Sequence, residues 1–287
     1  MRRPPYLIPD DLHATVQHAL AEDIGSGDVT ARLVPAEQRA VAHVIAREAA
    51  VICGQPWFDE VFARLDRGIE VRWEVAEGAA VKAEQQLCTL RGPARAMLTG
   101  ERTALNFLQA LSGTATAVRK YVDAVAGTGA RIVDTRKTLP GLRNAQKYAV
   151  VFGGGVNHRI GLYDGILIKE NHIAAAGGIR QAIANARALD AGVPLMTEAE
   201  DLDEARAALE ADVDLLLVDE FPLPLLREAV ALTRAHRQNG GKTVIEYSGS
   251  TTLDNIRPIA ETGVDRISIG AITKHVRAVD LSMRFQA

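Results

Sequence analysis

The sequence predicts an α/β protein whose C-terminal portion is a parallel sheet covered by helices. Three observations predict it. Short, continuously apolar runs recur from residue 131 onward, alanine-rich helical patterns separate most of them, and a polar residue or a glycine follows each run. Strands buried on both faces read as unbroken apolar stretches, and parallel neighbours need a crossover of helical length. The runs are Arg131–Asp134, Asp164–Ile168, Val193–Thr197, Asp214–Val218, Thr243–Tyr247 and Val264–Ile269, with helical patterns such as 178–189 and 202–210 between them. Six such units in succession favour a barrel over an open doubly wound sheet. No Gly-x-Gly-x-x-Gly follows any strand, which weakens a dinucleotide-binding reading.

The chain upstream reads differently. From Leu7 to about Gly113, helical stretches flank short β-like runs at Val41–Ile45, around 70–75 and around 86–90. The segment Glu77-Gly-Ala-Ala-Val81 with Leu87 and Leu90 is like the hairpin of biotinyl and lipoyl carriers. Arg91-Gly-Pro-Ala94 stands where such a carrier needs a lysine, so a small structural sheet is expected instead. Leu105, Leu108, Leu111, Ala115, Val118, Val122 and Val125 fall at helical spacing, and Gly113 marks an expected break or domain crossing. The expected division is therefore 1–113 for a first domain and 114–274 for the barrel, with a tail at 275–287.

Composition narrows the function classes. With 47% hydrophobic and 24% charged residues among 287, neither disorder nor a membrane protein fits. Thirty-three Lys and Arg against 36 Asp and Glu give a net charge of −3, which exerts no global pull on nucleic acid or anionic lipid. Cys53 and Cys88 cannot build a disulfide framework, and no zinc-type spacing occurs. The apolar stretch after Met1-Arg2-Arg3 is too short for a signal-peptide core, and no later run reaches the length of a membrane span. A soluble cytoplasmic protein is expected.

In a β/α barrel, reactive groups come from the carboxyl ends of strands. The residues there sort into three chemical kinds. Arg136, Lys137, His158, Arg159 and Lys169 form a cationic set in a mildly acidic protein. Arginine grips planar carboxylates with two parallel hydrogen bonds, while lysine is a point charge suited to phosphate or a leaving group. Glu198 and Asp219 end successive strands, a pair able to hold Mg²⁺ or sugar hydroxyls, or to favour positive charge on a neighbouring carbon. Ser248-Gly249 and Gly270 leave backbone N–H groups open before a helix, which suits phosphate. Each feature has a plainer explanation in solvated charges, ion pairs or turn chemistry, but the strand-end set is consistent as a whole. Zinc is not expected at His158 or His172, because their neighbours are basic, and His172 is expected to be structural. No nucleophile elbow or triad is present.

A series of motifs runs through the chain in order: Glu22-Asp-Ile-Gly-Ser-Gly-Asp-Val-Thr30, Glu101-Arg-Thr-Ala-Leu-Asn106, Asp134-Thr-Arg-Lys-Thr138 and Gln146-Lys-Tyr-Ala149. Gly153-Gly-Gly-Val-Asn-His-Arg159, Leu167-Ile-Lys-Glu-Asn-His172 and Gly270-Ala-Ile-Thr-Lys-His275 complete it. Over nearly its whole length the chain resembles the quinolinate phosphoribosyltransferase family. That resemblance implies an N-terminal α/β sandwich plus an incomplete α/β barrel, with the C-terminal tail returning to the first domain. It implies transfer of a phosphoribosyl group from 5-phosphoribosyl 1-diphosphate to quinolinate, with Mg²⁺ accompanying the diphosphate and no organic cofactor. Arg102, Arg136, His158, Arg159 and Lys169 would surround quinolinate. Lys137, Glu198, Asp219, Ser248, Gly249 and Gly270 would face the sugar diphosphate, joined by Thr135, Ser250, Ile269 and Ala271. Lys137, Lys169, Glu198 and Asp219 would be catalytic, and Glu198 and Asp219 would meet the metal, directly or through water. Arg102 would be donated to the neighbouring subunit of a homodimer.

The chain departs from the family pattern at Met196, where an acid is usual, at Glu220, where Asn is common, and at Ser250, where Gly is common. Two alternatives are a related phosphoribosyltransferase acting on nicotinate or another ring acid, and a non-catalytic barrel sensing phosphate or nucleotide. A barrel lyase with no phosphoribosyl donor is further from the pattern. A type I phosphoribosyltransferase is set aside, because Phe221-Pro-Leu-Pro-Leu225 replaces the phosphate loop that should follow its acidic pair.

Overall fold

The computed structural model describes residues 8–286, so the opening Met1–Leu7 stretch and Ala287 lie outside the described residues. The chain forms two compact units. The first runs to Arg119, takes in Thr138–Gly154 and resumes at Ala271; the second comprises Lys120–Lys137 and Gly155–Gly270.

The first unit opens with α1 (Leu12–Ile24), which buries Leu12, Val16 and Leu20 at four-residue spacing and stops at Gly25, whose φ is +51°. Strand β1 (Arg39–Ala46) buries Ala42, Val44 and Ala46, the period of two expected of a sheet with one face on a core. After β2 (Ala50–Val51) comes α2 (Gln55–Leu65). Its entry is organised by Glu77, whose carboxylate accepts the backbone N–H groups of Gly54 and Gln55 at 2.7 and 3.2 Å. Burial raises the Glu77 pKa, the hydrogen bonds oppose that rise, and a carboxylate at this helix end also meets the favourable pole of the peptide dipoles. Helix α2 then buries Trp57, Phe58, Val61 and Phe62. Strands β3 (Glu70–Trp73), β4 (Ala80–Val81) and β5 (Gln86–Pro93) follow. β4 pairs with β2, whereas β5 pairs with β1 and β3, so no carrier-type hairpin forms and a small structural sheet stands in its place.

Helix α3 (Ala94–Ala124) corrects one expectation: it passes through Gly113 without a break. The glycine is there for space, not for a turn. A Cβ at Gly113 would overlap the carbonyl oxygen of Arg277. The C-terminal segment therefore lies directly on this helix.

The second unit supplies β6 (Arg131–Val133). The chain returns to the first unit for α4 (Arg143–Phe152), so a segment that the sequence assigned to the barrel packs elsewhere: Ala145, Tyr148 and Ala149 join the core of Trp57 and Leu111. Then come β7 (Ile166–Ile168), α5 (Glu170–Ala176), α6 (Ile179–Ala188), β8 (Leu195–Ala199), α7 (Leu202–Glu210) and β9 (Leu215–Asp219). The run continues through α8 (Leu223–Gln238), β10 (Val244–Ser248), α9 (Ile256–Ala260) and β11 (Arg266–Ser268). All six expected runs are strands. They pair in parallel in the order β6-β11-β10-β9-β8-β7, and β6 and β7 do not pair with each other, which leaves the barrel open. Crossover helices explain why no hairpin occurs within this sheet.

The chain ends in the first unit with α10 (Ala271–Lys274) and β12 (Leu281–Phe285). β12 pairs antiparallel with β1, Val44 opposite Met283, which completes the sheet order β12-β1-β5-β3. Among the described residues no helix is long and apolar enough to cross a membrane.

Gly113→Ala tests the close approach to Arg277. Alanine in a helix interior ordinarily gains about 1 kcal/mol over glycine. Here overlap with a backbone oxygen should cost more, in the range of about 1–3 kcal/mol or above. A lower midpoint in thermal or urea unfolding is expected, and an unchanged or raised one would contradict this packing.

Candidate active site

Residues i and i+2 of a strand share a face, and registered neighbours in a parallel sheet extend that face sideways. Applied to the second unit, this rule builds a floor and a rim. Met196 and Leu215 are paired in register, and together with Leu217, Leu167 and Val244 they form an apolar cluster. The next register row runs Glu198, Leu217, Glu246, Arg266, and the one beyond it Asp219, Ser248, Ser268. Polar groups therefore take over the inner face towards the carboxyl ends of the strands, where β/α barrels carry their chemistry.

A cavity of about 300 Å³ opens there, lined by Thr135, Arg136, Lys137, His158, Arg159 and Lys169 with Glu198, Glu246, Ser248, Ser268, Leu167 and Leu217. The whole predicted cationic set of this unit is thus in one place. A larger cavity of about 660 Å³ in the first unit is lined by Glu22, Asp23 and His18 among others and by no Lys or Arg. Charge makes the smaller one the candidate for an anionic ligand.

The cations are held by their own neighbours. Arg159 Nη1 donates to the Gly165 carbonyl at 2.9 Å. Its basicity is lowered first by burial and then by the positive charge of Arg136. Two guanidinium groups close enough to oppose each other's charge are costly in an empty cleft, and an anion between them removes that cost. Lys169 Nζ donates to Glu198 Oε2 at 2.6 Å. Burial raises the Glu198 pKa, Lys169 pulls it back, and Asp219 and Glu170 push it up again. Lys137 N–H donates to Thr135 Oγ1 at 3.0 Å, and its exposed side chain passes over Gly270, where a Cβ would meet Lys137 Cδ at 2.8 Å. That contact gives Gly270 a packing reason besides the phosphate reading.

His158 lines the same cavity, and its contacts within the protein are defined. Its Nδ1 accepts the Arg159 backbone N–H at 2.8 Å, its backbone N–H donates to Asp134 Oδ1 at 2.8 Å, and its Nε2 faces Glu246 Oε1 at 3.6 Å. Both ring nitrogens thus point at protein groups. His172 is structural, its Nδ1 accepting the Lys169 backbone N–H at 3.0 Å.

The remaining predicted residues lie outside the cavity lining. Asp219 is the last residue of β9, and Gly249 and Ser250 follow β10. Ile269 and Gly270 follow β11, while Ala271 opens α10 in the first unit. Arg102 is exposed on α3, in the first unit. For a metal, the structure gathers carboxylate oxygens of Glu170, Glu198 and Glu200 within 4.8 Å of one another. This trio shares Glu198 with the expected pair but has Glu170 and Glu200 in place of Asp219. An all-oxygen, anionic donor set suits Mg²⁺.

The departures acquire explanations. Met196 fills the apolar interior, and a Cβ at Gly165 would meet its Cε at 2.6 Å, so an acid there would lie among Leu215 and Leu217. Glu220 and Ser250 contact each other: Ser250 Oγ donates to Glu220 Oε1 at 2.8 Å. Glu220 sits at φ +51°, a conformation that asparagine tolerates better than glutamate does.

The sequence reading missed Glu246. It lies one turn of the pleat below the strand end, in the middle of Val244-Ile-Glu-Tyr-Ser248. The signal was present, since a charged residue inside an apolar run that is buried on both faces is rare without a role. Glu246 is fully buried, neither carboxyl oxygen has a hydrogen-bond partner, and burial pushes its pKa up to about 7. The nearby Ser268 hydroxyl, which donates to the Tyr247 carbonyl at 3.3 Å, opposes that rise, as does Arg266, while Asp134 adds to it.

Together, the fold and the cleft define an α/β enzyme of the phosphoribosyltransferase kind, in which an open parallel barrel gathers cations around a carboxylate. Comparison with known proteins specifies the class. The description "Quinolinate phosphoribosyl transferase, C-terminal domain" matches residues 114–284, and the corresponding N-terminal domain matches residues 28–112. The chain belongs to the quinolinate phosphoribosyltransferase family. It is 42% identical over 281 residues to the nicotinate-nucleotide pyrophosphorylase (carboxylating) of Mycobacterium leprae, covering 96% of this chain and 97% of that one. It is 40% identical over 282 residues to a probable enzyme of the same name from Synechocystis, covering 98% and 94%. The solved nicotinate-nucleotide pyrophosphorylase of Francisella tularensis superposes with a TM-score of 0.92 at 44% identity, covering 97% of this chain and 98% of that one.

Glu246 makes stability depend on pH in a stated direction. Its folded pKa, about 7, lies above the ordinary 4.5, so the folded state holds a proton that the unfolded chain releases. Stability from this group is complete at low pH and is lost as pH rises from about 4.5 to about 7, a loss of roughly 3 kcal/mol. Glu246→Gln should abolish that component, so the difference in unfolding free energy between variant and wild type should grow in the variant's favour from about pH 5 to about pH 8. Parallel pH profiles would show that Glu246 does not titrate in this range.

Proposed function

We propose that this protein transfers the phosphoribosyl group of 5-phosphoribosyl 1-diphosphate to quinolinate with loss of CO₂, giving nicotinate mononucleotide and diphosphate for NAD biosynthesis. The observation that carries the reading is the pair Arg136 and Arg159, whose positive charges oppose each other in one half-buried cleft, beside the Lys169–Glu198 ion pair. Two guanidinium groups match two adjacent ring carboxylates, since each can donate a planar pair of hydrogen bonds. Nicotinate, with one carboxylate, would leave one of these cations uncompensated.

The chemistry follows from the groups present. Arg136 and Arg159 orient the ring so that its nitrogen faces C1 of the ribosyl donor, which exchanges diffusive encounter for a fixed approach. As the C1–O bond to diphosphate breaks, positive charge grows on the sugar, and the fixed carboxylate of Glu198, with Asp219 at the end of the neighbouring strand, stabilises it. Lys169, its ammonium 2.6 Å from Glu198, favours the ionised carboxylate and opposes the desolvation that raises its pKa. Lys137, with its exposed ammonium, suits the departing diphosphate. The backbone around Ser248, Gly249 and Ser250, and around Ile269, Gly270 and Ala271, suits phosphate oxygens, with Thr135 on the adjoining loop. Mg²⁺ would be held by Glu198 with Glu170, Glu200 or Asp219 and would supply charge neutralisation to the diphosphate. Once the ring nitrogen is quaternary its positive charge stabilises the electron pair left on C2 when the neighbouring carboxylate departs as CO₂, and that pair takes a proton. No organic cofactor is needed for that step.

Arg102 completes the reading. It is exposed on α3, and we assign it to the quinolinate site of a neighbouring subunit in a homodimer. The protein works in the cytoplasm on small anions, with no nucleic acid or membrane partner.

Incubation with quinolinate, 5-phosphoribosyl 1-diphosphate and Mg²⁺ should yield nicotinate mononucleotide and CO₂ in equal amounts, and turnover of nicotinate without CO₂ would displace the reading. Arg136→Ala removes charge-assisted bonds worth about 1.5–3 kcal/mol, so the quinolinate KM should rise roughly 10- to 100-fold. Unchanged kinetics would remove Arg136 from the site. Mixing the inactive Arg102→Ala and Lys137→Ala proteins should restore part of the activity through subunits that each carry one intact residue. No recovery after demonstrated subunit exchange would rule out a shared site.

A further inference from the structure

One group in the cleft has no part in the chemistry just described. Glu246 lines the same cavity as Arg136, Arg159 and Lys169, and its carboxyl is fully buried with no hydrogen-bond donor on either oxygen. Every element packed against it contributes a group. Across β9 stands Leu217, which separates it from Glu198. On β11, Arg266 is opposite in register and favours the charged form, and the Ser268 hydroxyl is close by. At the end of β6, Asp134 disfavours the charged form. From the loop before β7, His158 presents Nε2 at 3.6 Å.

The state of His158 is decided by its other nitrogen. Because Nδ1 accepts the Arg159 N–H at 2.8 Å, Nδ1 carries no proton, and the ring is the neutral Nε2–H form. A neutral imidazole is no counter-ion. An ionised Glu246 is therefore offset by the Ser268 hydroxyl and Arg266 alone among the groups that lower its pKa, burial outweighs both, and a buried charge in that position is neutralised by taking a proton. A bound dicarboxylate adds two negative charges to the same cavity and strengthens this tendency.

We propose that binding of quinolinate is coupled to uptake of one proton by Glu246, which enters the substrate complex as the neutral acid and lets a dianion occupy a cavity that already contains a buried carboxyl group. This inference rests on the functional reading given above and adds a regulatory property to the same site. Glu246 acts here as a positioning residue. It adjusts the charge of the floor, and the arginines hold the ligand.

The sign follows from linkage. The ligand prefers the protonated floor, so affinity is highest where Glu246 already carries its proton and weakens as pH rises through the pKa of the free protein, about 7. Above it, each pH unit should weaken binding up to about tenfold.

The test is isothermal titration of the full-length protein with quinolinate alone, which does not turn over without the ribosyl donor, in two buffers of different ionisation enthalpy. Phthalate, with the same adjacent carboxylates and no ring nitrogen, serves as a second probe. At about pH 8 the wild type should take up close to one proton per site, and at about pH 6 close to none. Glu246→Gln, neutral at every pH, should bind without proton uptake and with a Kd that stays level between those values. Binding without uptake by the wild type at about pH 8 overturns the inference and leaves the functional reading intact. Uptake that persists in Glu246→Gln also overturns it, because the proton would then reside elsewhere, on His158 first of all. Failure of either dicarboxylate to bind at any pH overturns the functional reading and this inference together. The wild-type measurement decides the matter even if the variant does not fold.

Discussion

Like charges held together organise this molecule. Arg136 and Arg159 come from different loops, after β6 and before β7, yet they are close enough that burial and the charge of Arg136 together lower the basicity of Arg159. Folding alone does not reward bringing the two together, because it adds mutual repulsion and desolvation, which Asp164 offsets only in part at Arg159. The arrangement persists because the loops are anchored independently. Arg159 is fastened to the Gly165 carbonyl, and the His158–Arg159 backbone is tied to Asp134, a fully buried residue at the end of β6. The cations of the cleft are therefore held in place by the scaffold itself.

The parallel sheet beneath imposes the rest. With a repeat of two along each strand and fixed register between strands, a change from apolar to polar on the inner face must occur row by row. The apolar cluster of Met196, Leu215 and Leu217 is the lower part, and Glu198, Glu246, Asp219, Ser248 and Ser268 are the upper. Glu198 and Glu246 occupy the same row on either side of Leu217, and burial raises the pKa of both, but their partners differ. Glu198 has a lysine at 2.6 Å and can remain ionised, whereas Glu246 faces a neutral histidine. Buried carboxyl groups with different partners are thus held in different electrostatic surroundings within one cleft.

The first unit solves a different problem, that of closing an antiparallel sheet with segments distant in sequence. β12 lies against β1, the preceding chain runs over α3 at Gly113, and α4 contributes Tyr148, whose ring packs edge-on against Trp57 with centroids 5.1 Å apart. Small residues are needed where backbones approach this closely. Gly153 has the same purpose: a Cβ there would meet Val118 and the Ala115 carbonyl.

Much of this was written in the sequence. Periodicity and composition located all six parallel strands, because a strand buried on both faces must be apolar throughout, and the polar residues closing each run located the cation set of the cleft. The sequence also carried the family resemblance through its ordered motifs. Tertiary structure decided what depends on contacts between distant segments. It made Gly113 a point of close packing within an unbroken helix, since only the position of Arg277 distinguishes that from a break. It assigned residues 138–154 to the first unit, turned His158 towards Glu246, and paired Glu220 with Ser250. A one-dimensional pattern reports which residues avoid water, but the protonation of Glu246 depends on which groups surround it in space, and those come from β6, β11 and the loop before β7.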